Sequence, residues 1–149
     1  MKFFVIDPKE RTVTLTDSPS LKELQQKVIR GDVDHTTLTL ASYQGHRLAM
    51  IVYEYGLVET SREQKFFSIG KNLYVGPGIV YGFDQEGETT DVVPDDMEPP
   101  FSPVFYLNID HVELAIRNGK IDRPETSING VPVWRWNQGP TNEGSSNTG

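Results

Sequence analysis

Short runs in which apolar and polar residues alternate recur along this chain, while only two stretches carry the spacing of an amphipathic helix. Thr12 to Asp17 sets Val13 and Leu15 against Thr12, Thr14 and Thr16, the period of two that marks a strand with one buried face. Lys2 to Asp7 is a second β-rich run, joined to the first through Pro8-Lys9-Glu10-Arg11, a plausible hairpin turn. Thr36 to Tyr43 alternates Leu38 and Leu40 with hydroxyl side chains. Arg47 to Val58 holds the most apolar stretch and reads as a central strand ending near Gly56. Asn72 to Phe83 reads as one further strand, with Pro77 demanding a bulge or an edge position because proline cannot donate to a ladder. Val104 to Ile109 is strand-like, and Asn129-Gly130 is a strong hairpin dipeptide before a last strand from Val131 to Trp136.

The main helix spans Ser20 to Arg30. Ser18 before Pro19, or Ser20 with Glu23 three residues on, can cap it. Leu21, Leu24 and Val28 form its apolar stripe, and Arg30-Gly31 close it. A shorter helix, His111 to Asn118, follows an expected cap at Asp110 and presents Val112, Ala115 and Ile116 on one face. Short connections between runs of period two predict an α+β fold. Its sheet is mostly antiparallel, of roughly five to seven strands, with one main helix packed on it and a second short helix. Leu21, Leu24, Val28, Leu38, Leu40, Met50, Val52, Val75, Val80, Val112 and Ile116 are the expected core.

At 149 residues the chain has the size of one domain. The expected boundaries are 1–136 for the domain and 137–149 for a polar tail, which has no apolar side chain but Pro140 and is expected to be disordered. There is no cysteine, which excludes disulfides, thiolate metal sites and thiol nucleophiles. No run approaches the ~20 apolar residues that span a bilayer. Met1 to Pro8 reads as a first strand rather than a signal peptide, so a cytoplasmic location without membrane contact is expected.

The net charge of −7 is concentrated. Asp84, Glu86, Glu88, Asp91, Asp95, Asp96 and Glu98 fall in one stretch without a base, and the rest of the chain is neutral. Basic residues are scattered, which disfavours direct nucleic-acid binding. The acidic stretch, read as an extended loop, repels anionic surfaces and can attract basic ones.

The opening Val5-Ile6-Asp7-Pro8, the helix Leu21 to Gly31, the segment Val52-Tyr53-Glu54-Tyr55-Gly56 and the run Val75 to Glu88 follow one another in an order that resembles a small domain-of-unknown-function family of bacteriophages and mobile elements, over residues 1–93. The resemblance implies an accessory protein working inside a bacterial host, in the host cytoplasm if phage encoded. That family has no established catalytic residues to carry over.

No motif marks a catalytic residue, a metal ligand set or a cofactor. Val75 to Gly82 is glycine-rich but lacks the Gly-Lys-Ser/Thr end of a phosphate loop. His35, His46 and His111 have no metal-ligand spacing. Asp84-Gln85-Glu86-Gly87-Glu88 places carboxylates alternately, with the glycine and terminal glutamate of a calcium loop misplaced. Trp134-Arg135-Trp136 puts two indoles on one side of a strand and a guanidinium on the other, as core or as a contact face. The expectation is a non-enzymatic binding or regulatory protein that binds a host protein or sequesters a small molecule. Its surface would use the seven acids or Trp134, Arg135 and Trp136. The alternatives are a small hydrolase or transferase using a carboxylate and a histidine, and a structural or assembly protein. His46 or His111 within hydrogen-bond reach of a buried carboxylate would favour the enzyme.

Overall fold

A computed structural model describes residues 1–29, 31–38, 47–53, 65–92, 101–124, 127–128 and 131–132. Strands β1 (Lys2–Asp7) and β2 (Thr12–Asp17) form the first hairpin with the bounds the alternation gives. Asp7 makes the turn: its Oδ1 accepts the backbone N–H groups of Lys9 and Glu10, the local bond that suits aspartate to turns. Arg11 completes it with φ 56°.

Helix α1 (Leu21–Val28) starts at Ser20, whose hydroxyl accepts the Glu23 N–H at 3.1 Å. Ser20 is therefore the cap, and Ser18 instead bonds the Ser20 carbonyl. The helix stops two residues short of the expected end, with Ile29 extended and its N–H donating to Gln25 O. Gly31, at φ +95°, supplies the left-handed residue that redirects the chain. Strand β3 (Val33–Thr37) begins earlier than the Thr36 start read from sequence, and β4 (Arg47–Tyr53) follows.

Strands β5 (Phe66–Ile69) and β6 (Asn72–Val75) form a hairpin, and β7 (Gly78–Phe83) follows it directly. The single strand expected over Asn72–Phe83 is thus two strands. The break at Gly76-Pro77, a cis peptide, separates members of different sheets. Strand β8 (Thr89–Thr90) folds back on β7, and β9 (Val104–Tyr106) pairs with β5. Helix α2 (Ile109–Arg117) is capped by Asn108, not Asp110: the Asn108 side chain accepts the His111 N–H, and Asp110 lies in the first turn. Asparagine caps as well as aspartate does, while an acid in the first turn complements the helix dipole. Strands β10 (Ser127–Ile128) and β11 (Val131–Pro132) pair in the register a two-residue connection sets, Ile128 opposite Val131.

All strand pairings among the described residues are antiparallel, as expected of this α+β fold. The large sheet runs β2-β1-β7-β4-β3, with β8 also on β7. The centre belongs to β7, and β4 stands one place in from the edge. The second sheet runs β6-β5-β9. Packing is in layers. Phe4, Ile6, Met50 and Val80 of the large sheet meet Phe67, Ile69 and Phe105 of the smaller one. On its far face the large sheet buries Phe3, Ile51 and Ile79 under Leu24 and Ile29. The small sheet sets Phe66, Val75 and Tyr106 against Val112 and Ala115 of α2. The order is therefore α1, large sheet, small sheet, α2. Of the expected core, Leu24, Leu38, Met50, Val75, Val80 and Val112 are buried, and Leu21, Val28, Val52 and Ile116 are half-buried against them. Leu40 lies outside the described residues. None of the helices among the described residues is long and apolar enough to cross a membrane.

Candidate functional site

Helix α1 is eight residues long, so it covers only part of its face of the large sheet. Beyond it, the alternation of β3, β4 and β7 puts His35, Thr37, Ala49, Tyr81 and Phe83 on the same side. Ala49 is opposite Thr37 on one flank and Tyr81 on the other. Its single methyl leaves a dip that larger neighbours wall in. His35 reaches across β4, and its Nδ1 lies 3.0 Å from the Tyr81 hydroxyl. The two rings meet edge-on at 5.9 Å, and the Phe83 ring lies 6.4 Å from that of Tyr81. The result is a shallow aromatic cleft of about 170 Å³, bordered by Thr36, Thr37 and Gly87. The Tyr81 phenol titrates above its ordinary value because burial disfavours the phenolate.

Gly87 brings the acidic stretch to this cleft. The four described acids divide into two kinds. Asp84 Oδ1 accepts the N–H groups of Glu86 and Glu88, and the Asp84 carbonyl accepts from Gly87, so Asp84 builds the turn between β7 and β8. Asp91 Oδ1 accepts the Lys2 N–H, and the Val92 N–H donates to the Lys2 carbonyl. Those bonds tie the end of the acidic hairpin to the first strand. Glu86 and Glu88, next to Gly87, are exposed to solvent. The turn closes tightly because Gly82 has no side chain: a Cβ there would lie 2.6 Å from Thr90 Oγ1 and 3.1 Å from the Asp91 carbonyl. Asp95, Asp96, Glu98, Trp134, Arg135 and Trp136 lie outside the described residues, as does His46. His111 is exposed on α2, away from any cleft described. No group of three metal-ligating side chains occurs among the described residues.

A second, larger cleft of about 420 Å³ opens on the opposite side of β3. Thr36 borders both. Its other walls are Lys71 to Tyr74, from the β5–β6 hairpin, and Asp122 to Pro124, after α2. The Asp122 N–H donates to the Lys71 carbonyl at 2.9 Å and holds these two walls together. Arg123 forms a two-pronged pair with Glu113 of α2, at 2.8 and 3.1 Å. Burial raises the Tyr74 phenol above its usual range, and hydrogen bonds with Thr36 and Asn72 partly offset the rise. Neither cleft carries a signature in the sequence. Their residues come from strands far apart in the chain and form no motif.

No protein-family model matches this chain, and no curated protein or solved structure matches it significantly.

Proposed function

We propose that this chain acts by binding, without a chemical step of its own, and that it docks a cationic side chain of a protein partner over the Tyr81–Phe83 cleft beside Glu86 and Glu88. The observation that carries this reading is the juxtaposition of the aromatic cleft with the acidic hairpin through Gly87. Aromatic faces attract cations, and Arg or Lys over Tyr or Phe at an exposed site gains about 0.5–1 kcal/mol. Exposed carboxylates nearby add orientation and association rate more than affinity. The cleft is smaller than the roughly 300–1,000 Å³ typical of small-molecule sites, so it suits one side chain better than a metabolite. His35 engages a phenol rather than a carboxylate, an arrangement that orients the Tyr81 ring and does not activate a nucleophile. The family resemblance of residues 1–93 supports a bacterial host protein as the partner, with the chain as a phage or mobile-element accessory protein.

The test is an NMR titration of the full chain with a tetra-arginine peptide. Shifts should concentrate on His35, Tyr81, Phe83 and residues 84–88. Affinity should fall a few-fold with Tyr81→Leu, which keeps bulk and removes the aromatic face. It should fall also with Glu86→Gln plus Glu88→Gln, and with added salt, since screening acts over ~10 Å at 0.1 M. Shifts elsewhere, or an affinity indifferent to both sets of substitutions, would refute the proposal.

A further inference from the structure

We propose that the cleft between β3, the β5–β6 hairpin and the segment after α2 binds a small organic anion through a carboxylate or phosphate group. This site is separate from the aromatic cleft and stands or falls independently of it. Its volume of about 420 Å³ lies within the usual range for small-molecule sites, roughly 300–1,000 Å³. Its walls are rich in donors. Lys71 brings an ammonium group and Tyr74 a hydroxyl, with Thr36 and Asn72 hydrogen-bonded to the Tyr74 oxygen. Arg123 gives one N–H from each terminal nitrogen to Glu113, and a guanidinium carries five, so three remain. The pair with Glu113 holds that fork from the α2 side and partly neutralises its charge. Asp122 is the one carboxylate among the described lining residues, set against the cations Lys71 and Arg123.

Such a surplus of donors is satisfied by an acceptor with several lone pairs, and carboxylates and phosphates match the planar guanidinium fork with two parallel hydrogen bonds. The phenol contributes as a donor because burial keeps Tyr74 protonated well into the alkaline range. The protein's overall charge of −7 opposes an anion at long range, so recognition must come from these local donors.

Isothermal titration of the full chain with inorganic phosphate and with citrate, at constant ionic strength, tests the site. Binding of either probe supports it, and the probe that binds distinguishes phosphate from carboxylate recognition. Lys71→Gln should weaken binding about tenfold, as loss of a charged hydrogen bond does. Glu113→Gln should strengthen it, because the variant frees Arg123 from a competing carboxylate, whereas a purely structural Glu113 would give weaker binding or none. Amide shifts should centre on Thr36, residues 71–74 and residues 122–124. The proposal is overturned if neither probe binds, if binding ignores Lys71→Gln, if Glu113→Gln weakens it, or if a diamine binds there through Asp122 in place of an anion.

Discussion

Replacing Leu24 with alanine probes what holds α1 in place. An isolated helix of eight residues is too short to persist in water, where ~12–15 residues are marginal. Its capping bond and a favourable charge at each end contribute only about a kcal/mol each. The helix therefore depends on its packing, and Leu24, 4% exposed, is its one buried side chain. Leu24 packs with Phe3, Ile51 and Ile79, all fully buried on three strands that are bonded on both sides, so the sheet cannot close the hole. Only the helix can sink inward. Leucine-to-alanine changes in such settings cost about 2–5 kcal/mol, and partial settling of α1 argues for about 3. For a chain of this size that lowers Tm by about 6–12 °C. Urea denaturation followed by circular dichroism gives the number. Leu114→Ala on α2, where the leucine is 51% exposed, is the control and should change stability by less than about 0.5 kcal/mol. A Leu24→Ala cost below about 1 kcal/mol, or equal costs for the two variants, would show that α1 does not rest on this side chain.

Two further outcomes follow from single atoms. Thr90 Oγ1 is buried with no hydrogen-bond partner among the described residues; Thr90→Val keeps the shape, removes the unsatisfied hydroxyl and should raise stability by about 1 kcal/mol in the same urea assay. Tyr74 and Tyr81 both titrate above the ordinary tyrosine value because burial disfavours the phenolate. The folded state thus holds its phenolic protons longer than the unfolded chain, so their contribution is complete below pH ~10 and is lost as pH rises through the folded values. A Tyr74→Phe, Tyr81→Phe double variant should therefore lose less stability between neutral and strongly alkaline pH than the parent, measured as urea midpoints across that range.

The elements that local chemistry specifies were legible in the sequence. The Asp7 side chain makes its own turn, and Ser20 caps its own helix, so β1, β2 and the start of α1 fall where the residues say. Strand β5 was not legible. Phe66, Phe67 and Ser68 are all buried because one face meets the large sheet and the other meets α2, and a strand buried on both faces shows no alternation. The allocation of Asn72–Val75 and Gly78–Phe83 to different sheets was also hidden, since a local run carries no record of which partner it pairs with. Of the candidate site residues, the acidic stretch was read as one charged loop. Yet Asp84 and Asp91 each accept backbone N–H groups, while Glu86 and Glu88 are exposed beside the cleft. The His35–Tyr81 contact joins residues 46 apart in the chain and depends on a small side chain, Ala49, on a third strand.

Strand β3 explains why the sequence is most polar where the two clefts are. It is an edge of the large sheet among the described residues, with β4 as its one neighbour. Edges with open N–H and C=O groups invite pairing with other chains, and natural sequences guard them with polar and charged side chains. Asp34, His35, Thr36 and Thr37 meet that need, which is why β3 shows so weak an apolar alternation and why its start at Val33 was missed. The same residues then serve a second purpose. Successive side chains point to opposite faces, so His35 and Thr37 open toward the aromatic cleft while Thr36 bonds with Tyr74 at the donor-rich one. A single polar edge strand thus separates a cleft next to the exposed acids Glu86 and Glu88 from one lined by Lys71 and Arg123. The opposite preferences proposed for the two clefts, cation on one side and anion on the other, follow from that alternation together with the loops each face meets.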